Sequence, residues 1–339
     1  MGHKRALIVG INYKGTSSEL KGCINDANNM YQLITSKFGF EDVKLLLEQD
    51  ATTDNIKENL RWLVSGCRPG DTLLFHYSGH GSQIADTSDP DVEPDKLDEI
   101  ICPIDLDWKE KVITDDYLKW VFDTVPAGVN LTVFLDSCHS GSGLDQANQY
   151  QSTIADKSTK MVVAGGRYLA PPAEVLAQIE KLQLEPATRA VQSKSVDETG
   201  LLISGCRADQ TSADAYINMT YQGAATYSLL RTLKANNYDC TYQELVDGMN
   251  EYLADAGYSQ RPELNGSASL FATKVLRDPV VPQEVIDNYE PVDVPAAPST
   301  VQTPPATQLQ QIFSGGIGRL IIIGAAAILA FFGLIFLVR

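Results

Sequence analysis

The sequence predicts an α/β fold with a mainly parallel central sheet, followed by a linker and one C-terminal transmembrane helix. Three observations lead to this prediction. Short apolar runs alternate with amphipathic helical segments over residues 1–277, as in chains that build parallel sheets. Residues 278–319 begin with a cluster of prolines, and residues 320–338 form one apolar run. The prediction therefore divides the chain into an α/β domain, a linker and a membrane segment.

The strands are predicted from runs that are apolar at nearly every position. Strands of a parallel sheet are buried on both faces, so their sequences do not alternate between polar and apolar residues. A chain of 339 residues is long enough to bury such a sheet. The clearest runs are Ala6–Gly10, Val43–Leu47, Thr72–Ser78, Leu131–Leu135, Met161–Ala164 and Leu201–Ser204.

Helices are predicted where apolar residues recur every three or four positions, because that spacing lines up one face of a helix. Most of these segments lie between two predicted strands, which is the arrangement of crossover connections in a parallel sheet. The segments are Asn25–Phe38, Thr53–Ser65, Asp115–Val125, Ala224–Ala235 and Tyr242–Ala254.

The C-terminal region differs in composition from the rest of the chain. Seven of the 16 prolines fall between Pro279 and Pro305, which predicts an extended linker over residues 278–319. Leu320–Val338 then contains 19 apolar or glycine residues without a charge, flanked by Arg319 and Arg339. As a helix it would span roughly 28 Å, close to the thickness of the hydrocarbon core of a bilayer. We therefore predict a single-pass tail anchor rather than a buried core helix.

Charge and cysteine usage limit the classes of partner and compartment. The net charge of −16 argues against nucleic-acid binding, since a phosphate backbone would be repelled, and favours cationic ligands. The six cysteines include no CxxC pair, so the spacing supports neither a zinc site nor a dense disulfide framework. With no N-terminal signal peptide, the domain at residues 1–277 is expected on the cytosolic side, where thiols stay reduced.

Two motifs at the ends of predicted strands carry candidate catalytic residues. The segment TLLFHYSGHGSQ, residues 72–83, leads from a strand into His80 between two glycines. The segment LTVFLDSCHSGSG, residues 131–143, leads from a strand into Cys138. A thiol needs a nearby base to supply thiolate at neutral pH, so Cys138 and His80 would form a nucleophile and base if their strands are neighbours.

The base is chosen among four histidines. His3 precedes the first strand, His76 lies within a strand, and His139 adjoins Cys138, where neighbouring side chains diverge. His80 remains. Each residue alone has a simpler interpretation, a buried apolar cysteine or a hydrogen-bonded histidine, and the two glycine-rich settings together favour catalysis.

HYSGHG and DSCHSG together resemble the motifs of the metacaspases, the caspase-like cysteine peptidases. GCINDA at residues 22–27 and SGCRADQTSADA at residues 204–215 extend the resemblance to about residues 4–275. The resemblance implies a caspase-type α/β/α sandwich. It divides residues 1–277 into a large-subunit-like part at about 1–145, an intersubunit segment at 146–199 and a small-subunit-like part at 200–277.

The resemblance also implies cleavage of protein or peptide substrates after Arg or Lys. Its primary specificity (S1) pocket corresponds here to Cys23, Asp26, Ser78 and Asp136. Two carboxylates would attract a guanidinium or ammonium group and repel an acidic side chain. Asp26 has the alternative interpretation of a helix-capping residue beside Asn25.

Calcium is the cofactor that the resemblance implies. The positions similar to those of calcium-activated members are Asp98, Asp115, Asp116 and Asp145. Calcium prefers six to eight oxygen ligands, which carboxylates from converging loops can supply. Asp115 or Asp116 could instead cap the helix that follows.

These observations predict a calcium-dependent cysteine endopeptidase with a monomeric peptidase domain, no nucleic-acid partner and a C-terminal membrane anchor. Backbone N–H groups near Gly81 and Cys138 would stabilise the oxyanion. The alternative is a catalytically silent, membrane-bound scaffold of the same fold, which the presence of both dyad residues disfavours. Basic residues in the intersubunit segment make it a candidate for self-processing: Lys157, Lys160, Arg167, Lys181, Arg189 and Lys194.

Overall fold

A six-stranded sheet forms the centre of the computed structural model, which describes residues 2–86, 97–138, 162–183 and 200–291. The strands in chain order are β1 Lys4–Gly10, β2 Asp42–Leu47, β3 Thr72–Ser78, β4 Gly81–Ala85, β5 Leu97–Ile101, β6 Ile113–Thr114, β7 Asn130–Asp136, β8 Val162–Gly166, β9 Gly200–Ser204, β10 Ala213–Ile217, β11 Thr220–Gly223 and β12 Glu263–Gly266. The helices are α1 Cys23–Lys37, α2 Thr53–Val64, α3 Asp115–Phe122, α4 Ala173–Gln183, α5 Ala224–Ala235, α6 Tyr242–Asp255, α7 Ala268–Phe271 and α8 Gln283–Asp287.

The central sheet has the order β12-β9-β7-β3-β1-β2. Its five inner and N-terminal strands pair in parallel, and only β12 runs antiparallel to its neighbour β9. The predicted α/β fold with a mainly parallel sheet is therefore confirmed.

Both faces of the sheet are covered, which explains why the strand sequences are apolar without alternation. In β1, Leu7 and Val9 belong to the core packed by α2 and α3, whereas Ala6 and Ile8 belong to the core packed by α1, α5 and α6. Successive side chains of a strand point to opposite faces, so each face takes every second residue. Helices on both faces complete an α/β/α sandwich.

Two smaller antiparallel sheets lie beside the central one. Strands β4, β5 and β6 form one of them, and β11, β10 and β8 form the other. The run predicted as the strand Met161–Ala164 is thus found as β8, but it pairs antiparallel with β10 outside the parallel sheet. An apolar run by itself does not identify the strand with which it pairs.

The predicted boundary at residue 277 differs from the structure. One compact unit extends from Met1 to Pro295, and the second unit, Ala296–Arg339, lies outside the described residues. The first part of the predicted linker forms α8, and the Tyr289 hydroxyl donates a hydrogen bond to the Cys67 carbonyl at 2.8 Å. Pro282 at the start of α8 is compatible with a helix, because the first turn needs no N–H partner.

Within the described ranges, no helix is both long and apolar enough to cross a membrane. The predicted transmembrane segment 320–338 lies outside those ranges.

Candidate active site

The two motif-bearing strands are direct neighbours in the central sheet. β3 and β7 pair in parallel with Ser78 opposite Asp136, so both strands end at the same edge. His80 follows two residues after Ser78, and Cys138 follows two residues after Asp136. The topology therefore brings the predicted base and the predicted nucleophile to one edge, where α/β sheets commonly hold their ligands.

Cys138 is fully buried at this edge. Its Sγ accepts a hydrogen bond from the Ser212 backbone N–H at 2.8 Å. The Ser212 N–H therefore orients the sulfur at this edge. All six cysteines of the chain are free and buried.

His80 is held by a backbone carbonyl. Its Nε2 lies 2.7 Å from the Ser18 carbonyl oxygen, which can only accept, so Nε2 carries the proton. The other ring nitrogen, Nδ1, has no hydrogen-bond partner in the part of the chain that the structure describes. Burial lowers the pKa of His80 to about 4, so the ring is neutral near pH 7 and Nδ1 has a lone pair available for a proton.

The other histidines have different surroundings. His76 is fully buried within β3, where its ring stacks on Phe134 with 5.0 Å between centroids. Burial lowers the pKa of His76 to about 4 as well. His76 therefore packs in the core, whereas His139 lies outside the described residues.

A segment of the chain itself lies across this edge, and Arg167 is at its centre. The Arg167 carbonyl oxygen accepts hydrogen bonds from the Gly81 N–H at 2.9 Å and the Cys138 N–H at 3.2 Å. The Arg167 N–H donates to the Ser212 carbonyl at 3.0 Å. The two N–H groups predicted to stabilise an oxyanion thus already bind a peptide carbonyl.

The Arg167 side chain is fully buried among the predicted pocket residues. Its Nη2 lies 2.7 Å from Asp26 Oδ2, and its Nη1 lies 3.0 Å from Asp136 Oδ1. Nη1 also donates to the Ser78 hydroxyl oxygen at 2.9 Å. The structure therefore brings three of the four predicted pocket residues into direct contact with one guanidinium.

The fourth predicted pocket residue, Cys23, is also buried beside this group, and burial raises the pKa of its thiol. Asp26 does not cap α1, because the capping position is Gly22 and no side chain caps it. Instead, Asp26 accepts hydrogen bonds from Ser78 and from the Gly223 N–H. The capping alternative for Asp26 is therefore wrong.

Asp214 is a pocket residue that sequence reasoning missed. Its Oδ1 lies 3.2 Å from Arg167 Nη2, and its carboxylate also accepts the backbone N–H groups of Lys21 and Gly22. Asp214 lies in β10, within the motif SGCRADQTSADA. That motif contains two aspartates, Asp209 and Asp214, and nothing in the sequence indicates which of them turns inward. The pairing of β10 with β8 decides this.

The pocket holds three carboxylates around one guanidinium. Burial raises the pKa of Asp26 to about 6 against the lowering effect of Arg167. For Asp136 burial also raises the pKa, but Arg167 and hydrogen bonds from Ser212 and Thr226 outweigh it and hold the pKa below its usual range. The excess of negative charge makes this pocket selective for a cation.

The backbone of Gly223 packs directly against the side chains of Asp136 and Arg167 in the pocket. A Cβ atom at this position would lie 2.2 Å from Asp136 Oδ2 and 2.5 Å from Arg167 Nη1. Any larger residue would occupy the volume of the guanidinium.

Three of the four predicted calcium ligands lie in the described residues. Asp98 is in β5, and Asp115 and Asp116 form the first turn of α3, whose N-terminal cap is the Thr114 side chain. The capping alternative for the two aspartates is therefore not what the structure has. Asp145 lies outside the described residues. Within the described ranges, no group of three or more acidic, histidine or cysteine side chains is arranged to hold a metal ion.

The chain is similar to known proteins in both sequence and fold. Residues 4–147 match the family described as metacaspase, peptidase C14 domain. Metacaspase-1 of Pyricularia oryzae is 35% identical over 292 residues, which cover 79% of this chain and 73% of that protein. Metacaspase-1 of Schizosaccharomyces pombe is 32% identical over 294 residues, covering 79% of this chain and 68% of that protein. Among solved structures, a protein from Geobacter sulfurreducens is similar with a TM-score of 0.59 and 25% identity, covering 82% of this chain and all of that one.

Proposed function

The chain belongs to the metacaspase family and is a cysteine peptidase; we propose that it cleaves after Arg or Lys with Cys138 and His80 as its catalytic dyad. The observation that carries this proposal is the burial of Arg167 among three carboxylates while its carbonyl oxygen accepts two N–H groups beside Cys138. These are the contacts that a substrate arginine on the N-terminal side of a scissile bond needs.

In the proposed mechanism, the Cys138 thiol transfers its proton to His80 Nδ1 and the sulfur attacks the scissile carbonyl carbon. The Gly81 and Cys138 N–H groups stabilise the negative charge that develops on the carbonyl oxygen. The leaving amine then takes the proton from His80. Water, deprotonated by the same ring, hydrolyses the thioester and restores the free thiol.

The Ser18 carbonyl supports the role of His80 as base. By accepting the Nε2 proton it holds the tautomer in which Nδ1 is free. The backbone groups of Ser18 and Arg167 both raise the pKa of His80, against the larger lowering effect of burial.

Arginine fits the pocket better than lysine. The two terminal nitrogens of Arg167 have different partners: Nη2 contacts Asp26 and Asp214, and Nη1 contacts Asp136 and Ser78. A lysine ammonium is a single point charge and would leave some of these partners unpaired. We therefore expect cleavage after Arg to exceed cleavage after Lys.

Self-processing is part of the proposal, and its bond is Arg167–Tyr168. Of the six basic residues considered in the intersubunit segment, the described ranges include Arg167 and Lys181. Lys181 lies exposed on α4, whereas Arg167 occupies the pocket. An uncut chain would therefore block its own site until this bond is cleaved.

The function is tested with full-length protein and fluorogenic peptides ending in Arg, Lys or Asp. We expect cleavage in the order Arg, Lys, then none for Asp, and no activity in Cys138→Ala or His80→Ala. Near-normal turnover by Cys138→Ala would refute the mechanism. N-terminal sequencing of self-processed protein should identify a fragment that begins at Tyr168, absent in Arg167→Gln and retained in the matched variant Lys181→Gln.

Calcium activation and membrane anchoring complete the proposal. Asp98, Asp115 and Asp116 lie on β5 and at the start of α3, two elements that pack together, so a fourth carboxylate from Asp145 would add to a group of suitable charge.

The apolar run 320–338 supports a tail anchor, because it has the length of a membrane span. Full-length protein should resist carbonate extraction from membranes, whereas a chain truncated after Gln311 should be soluble and active. Recovery of full-length protein in the soluble fraction would remove the anchor from the proposal.

A further inference from the structure

The chain that leaves the pocket beyond Arg167 follows β4. Gly81, the first residue of β4, forms a parallel bridge with Tyr168. Its N–H donates to the Arg167 carbonyl, and its own carbonyl accepts the Leu169 N–H at 2.9 Å. Gly81 therefore binds the carbonyl before the Arg167–Tyr168 bond and also the N–H of the second residue after it.

Ser82 extends this contact by one residue. Its hydroxyl donates to the Leu169 carbonyl at 2.6 Å, and the Ser82 side chain is fully buried. A buried hydroxyl without a partner costs free energy, so this donor favours a site in which a peptide carbonyl is present. With a substrate from another molecule, that carbonyl belongs to the second residue after the cut.

The two sides of the bond are bound by different sheets. Before the bond, β8 pairs antiparallel with β10, and the Arg167 N–H bonds to Ser212. After the bond, the contacts come from β4. The contacts to Leu169 join its backbone N–H and carbonyl to the enzyme, so at this second residue they recognise an extended backbone rather than a particular side chain.

From this geometry we propose that β4 is a binding strand for the residues that follow the scissile bond, with Ser82 as a positioning residue. The inference rests on the proposed function, in which Arg167–Tyr168 is the bond presented to Cys138. It defines the preferred substrates more closely: extended polypeptides with at least two residues beyond the arginine should be cleaved faster than peptides that end there. A backbone N–H on the second of these adds a hydrogen bond to Gly81, which disfavours proline there.

The first test changes the substrate and leaves the enzyme unaltered. Full-length protein is assayed with internally quenched peptides that continue through Arg-Tyr-Leu, and with the same peptide N-methylated at the leucine nitrogen. Losing one hydrogen bond should lower kcat/KM about three- to tenfold, mainly through KM, because the contact is present in both the bound substrate and the transition state. N-methylation five residues beyond the arginine is the matched control and should have little effect. Equal kcat/KM for the leucine-methylated and unmodified peptides would overturn the proposal.

The second test changes Ser82. The readout is the ratio of kcat/KM for the extended peptide to kcat/KM for a peptide with only a coumarin dye after arginine. Ser82→Ala should lower this ratio severalfold. The matched variant is Ser228→Ala, which removes a buried hydroxyl that bonds to Ala225 within α5, and its ratio should equal that of the wild type. A ratio unchanged by Ser82→Ala would remove Ser82 from the inference.

A binding measurement separates this inference from the proposed function. In Cys138→Ala/Arg167→Gln the nucleophile is absent and the internal segment loses the ion pairs that hold it in the pocket, so an added arginine peptide should displace it from the site. Fluorescence anisotropy should give tighter binding for the extended peptide than for its leucine-methylated form. Failure of wild-type protein to cleave any arginine peptide would count against the proposed function. Equal binding of the two peptides would count against β4 as the binding strand.

Discussion

Two groups of aspartates in this protein differ in what balances their charge. The pocket cluster, Asp26, Asp136 and Asp214, is buried and surrounds the Arg167 guanidinium. The edge group, Asp98, Asp115 and Asp116, lies on β5 and the first turn of α3, where the latter two are half-buried. A buried carboxylate, as in the pocket cluster and at Asp98, is stable only when donors surround it, whereas half-buried Asp115 and Asp116 are partly compensated by water. The comparison teaches that similar numbers of aspartates can lie in different surroundings, one group around a guanidinium of the chain and the other on a strand and a helix start.

The pocket cluster should depend on Arg167 for stability more than any exposed pair depends on its partner. In a Cys138→Ala background, which keeps the chain uncut, Arg167→Ala leaves three buried carboxylates without a cation. We expect the free energy of unfolding to fall by about 3–5 kcal/mol in denaturant titrations. The matched variant is Arg207→Ala, because Arg207 pairs with Asp209 at 3.1 Å where both side chains are more than half exposed. Its effect should stay below about 1 kcal/mol. Equal effects of the two variants would mean that burial does not distinguish the pairs.

The same cluster should determine cleavage after arginine. Asp26→Asn and Asp136→Asn preserve side-chain shape but remove one charge from the pocket. The loss of one partner of a buried ion pair costs about 2–5 kcal/mol, which corresponds to a fall of roughly 30- to 5,000-fold in kcat/KM for an arginine peptide. Asp116→Asn, assayed at saturating calcium, is the control from the edge group and should lose much less. Normal arginine cleavage by both pocket variants would place the specificity pocket elsewhere.

Asp26 should make the stability of the folded protein depend on pH. Its pKa is raised to about 6 in the folded protein, first by burial and then by Asp136, so the folded state holds its proton more tightly than the unfolded state does. Its contribution to stability is therefore present below the unfolded pKa, near 4, and is lost as pH rises through about 6. Between pH 4 and pH 7, titration of Asp26 should lower the free energy of unfolding of Cys138→Ala by about 1–3 kcal/mol.

The control for this titration is Cys138→Ala/Asp26→Asn, in which the same component should be missing. The two buried histidines change stability in the opposite direction, since burial lowers their pKa to about 4 and stability falls as the pH drops from their usual value toward 4. The comparison therefore uses the difference between the two variants. Identical pH profiles would show that Asp26 does not titrate in this range.

Substitutions in the edge group should have the smallest effect on stability when calcium is absent. The group should respond when calcium is added. In the absence of calcium, Asp115→Ala with Asp116→Ala should change the free energy of unfolding by less than about 1 kcal/mol, because both side chains are half-buried. Millimolar calcium should raise the thermal midpoint and the peptidase rate of the wild type, and EGTA should reverse both. The double variant should lose most of this response. Wild-type protein that is equally active with calcium and with EGTA would leave this group without a metal.

The sequence alone determined the fold class and the positions of the two candidate catalytic residues. Apolar runs without alternation predicted strands buried on both faces, and β1 has Ala6 and Ile8 on one face and Leu7 and Val9 on the other. The motifs around His80 and Cys138 follow β3 and β7, which are neighbours in the sheet. Such features are local, since a strand and its terminal residue are encoded within a dozen positions.

Only the tertiary structure decided which residues meet across long separations in the chain. The motif resemblance had placed Asp26 and Asp136 in one pocket, but neither periodicity nor spacing indicates that Arg167 and Asp214, from two other segments, join them there. The segment predicted as a strand at 161–164 pairs with β10 rather than with the parallel sheet, and this pairing brings Arg167 to the pocket. Strand pairing depends on complementary edges and on the closure of long loops, which are properties of the assembled fold. For this reason the sequence identified Arg167 only as one basic residue among six, and the structure alone assigned it to the pocket.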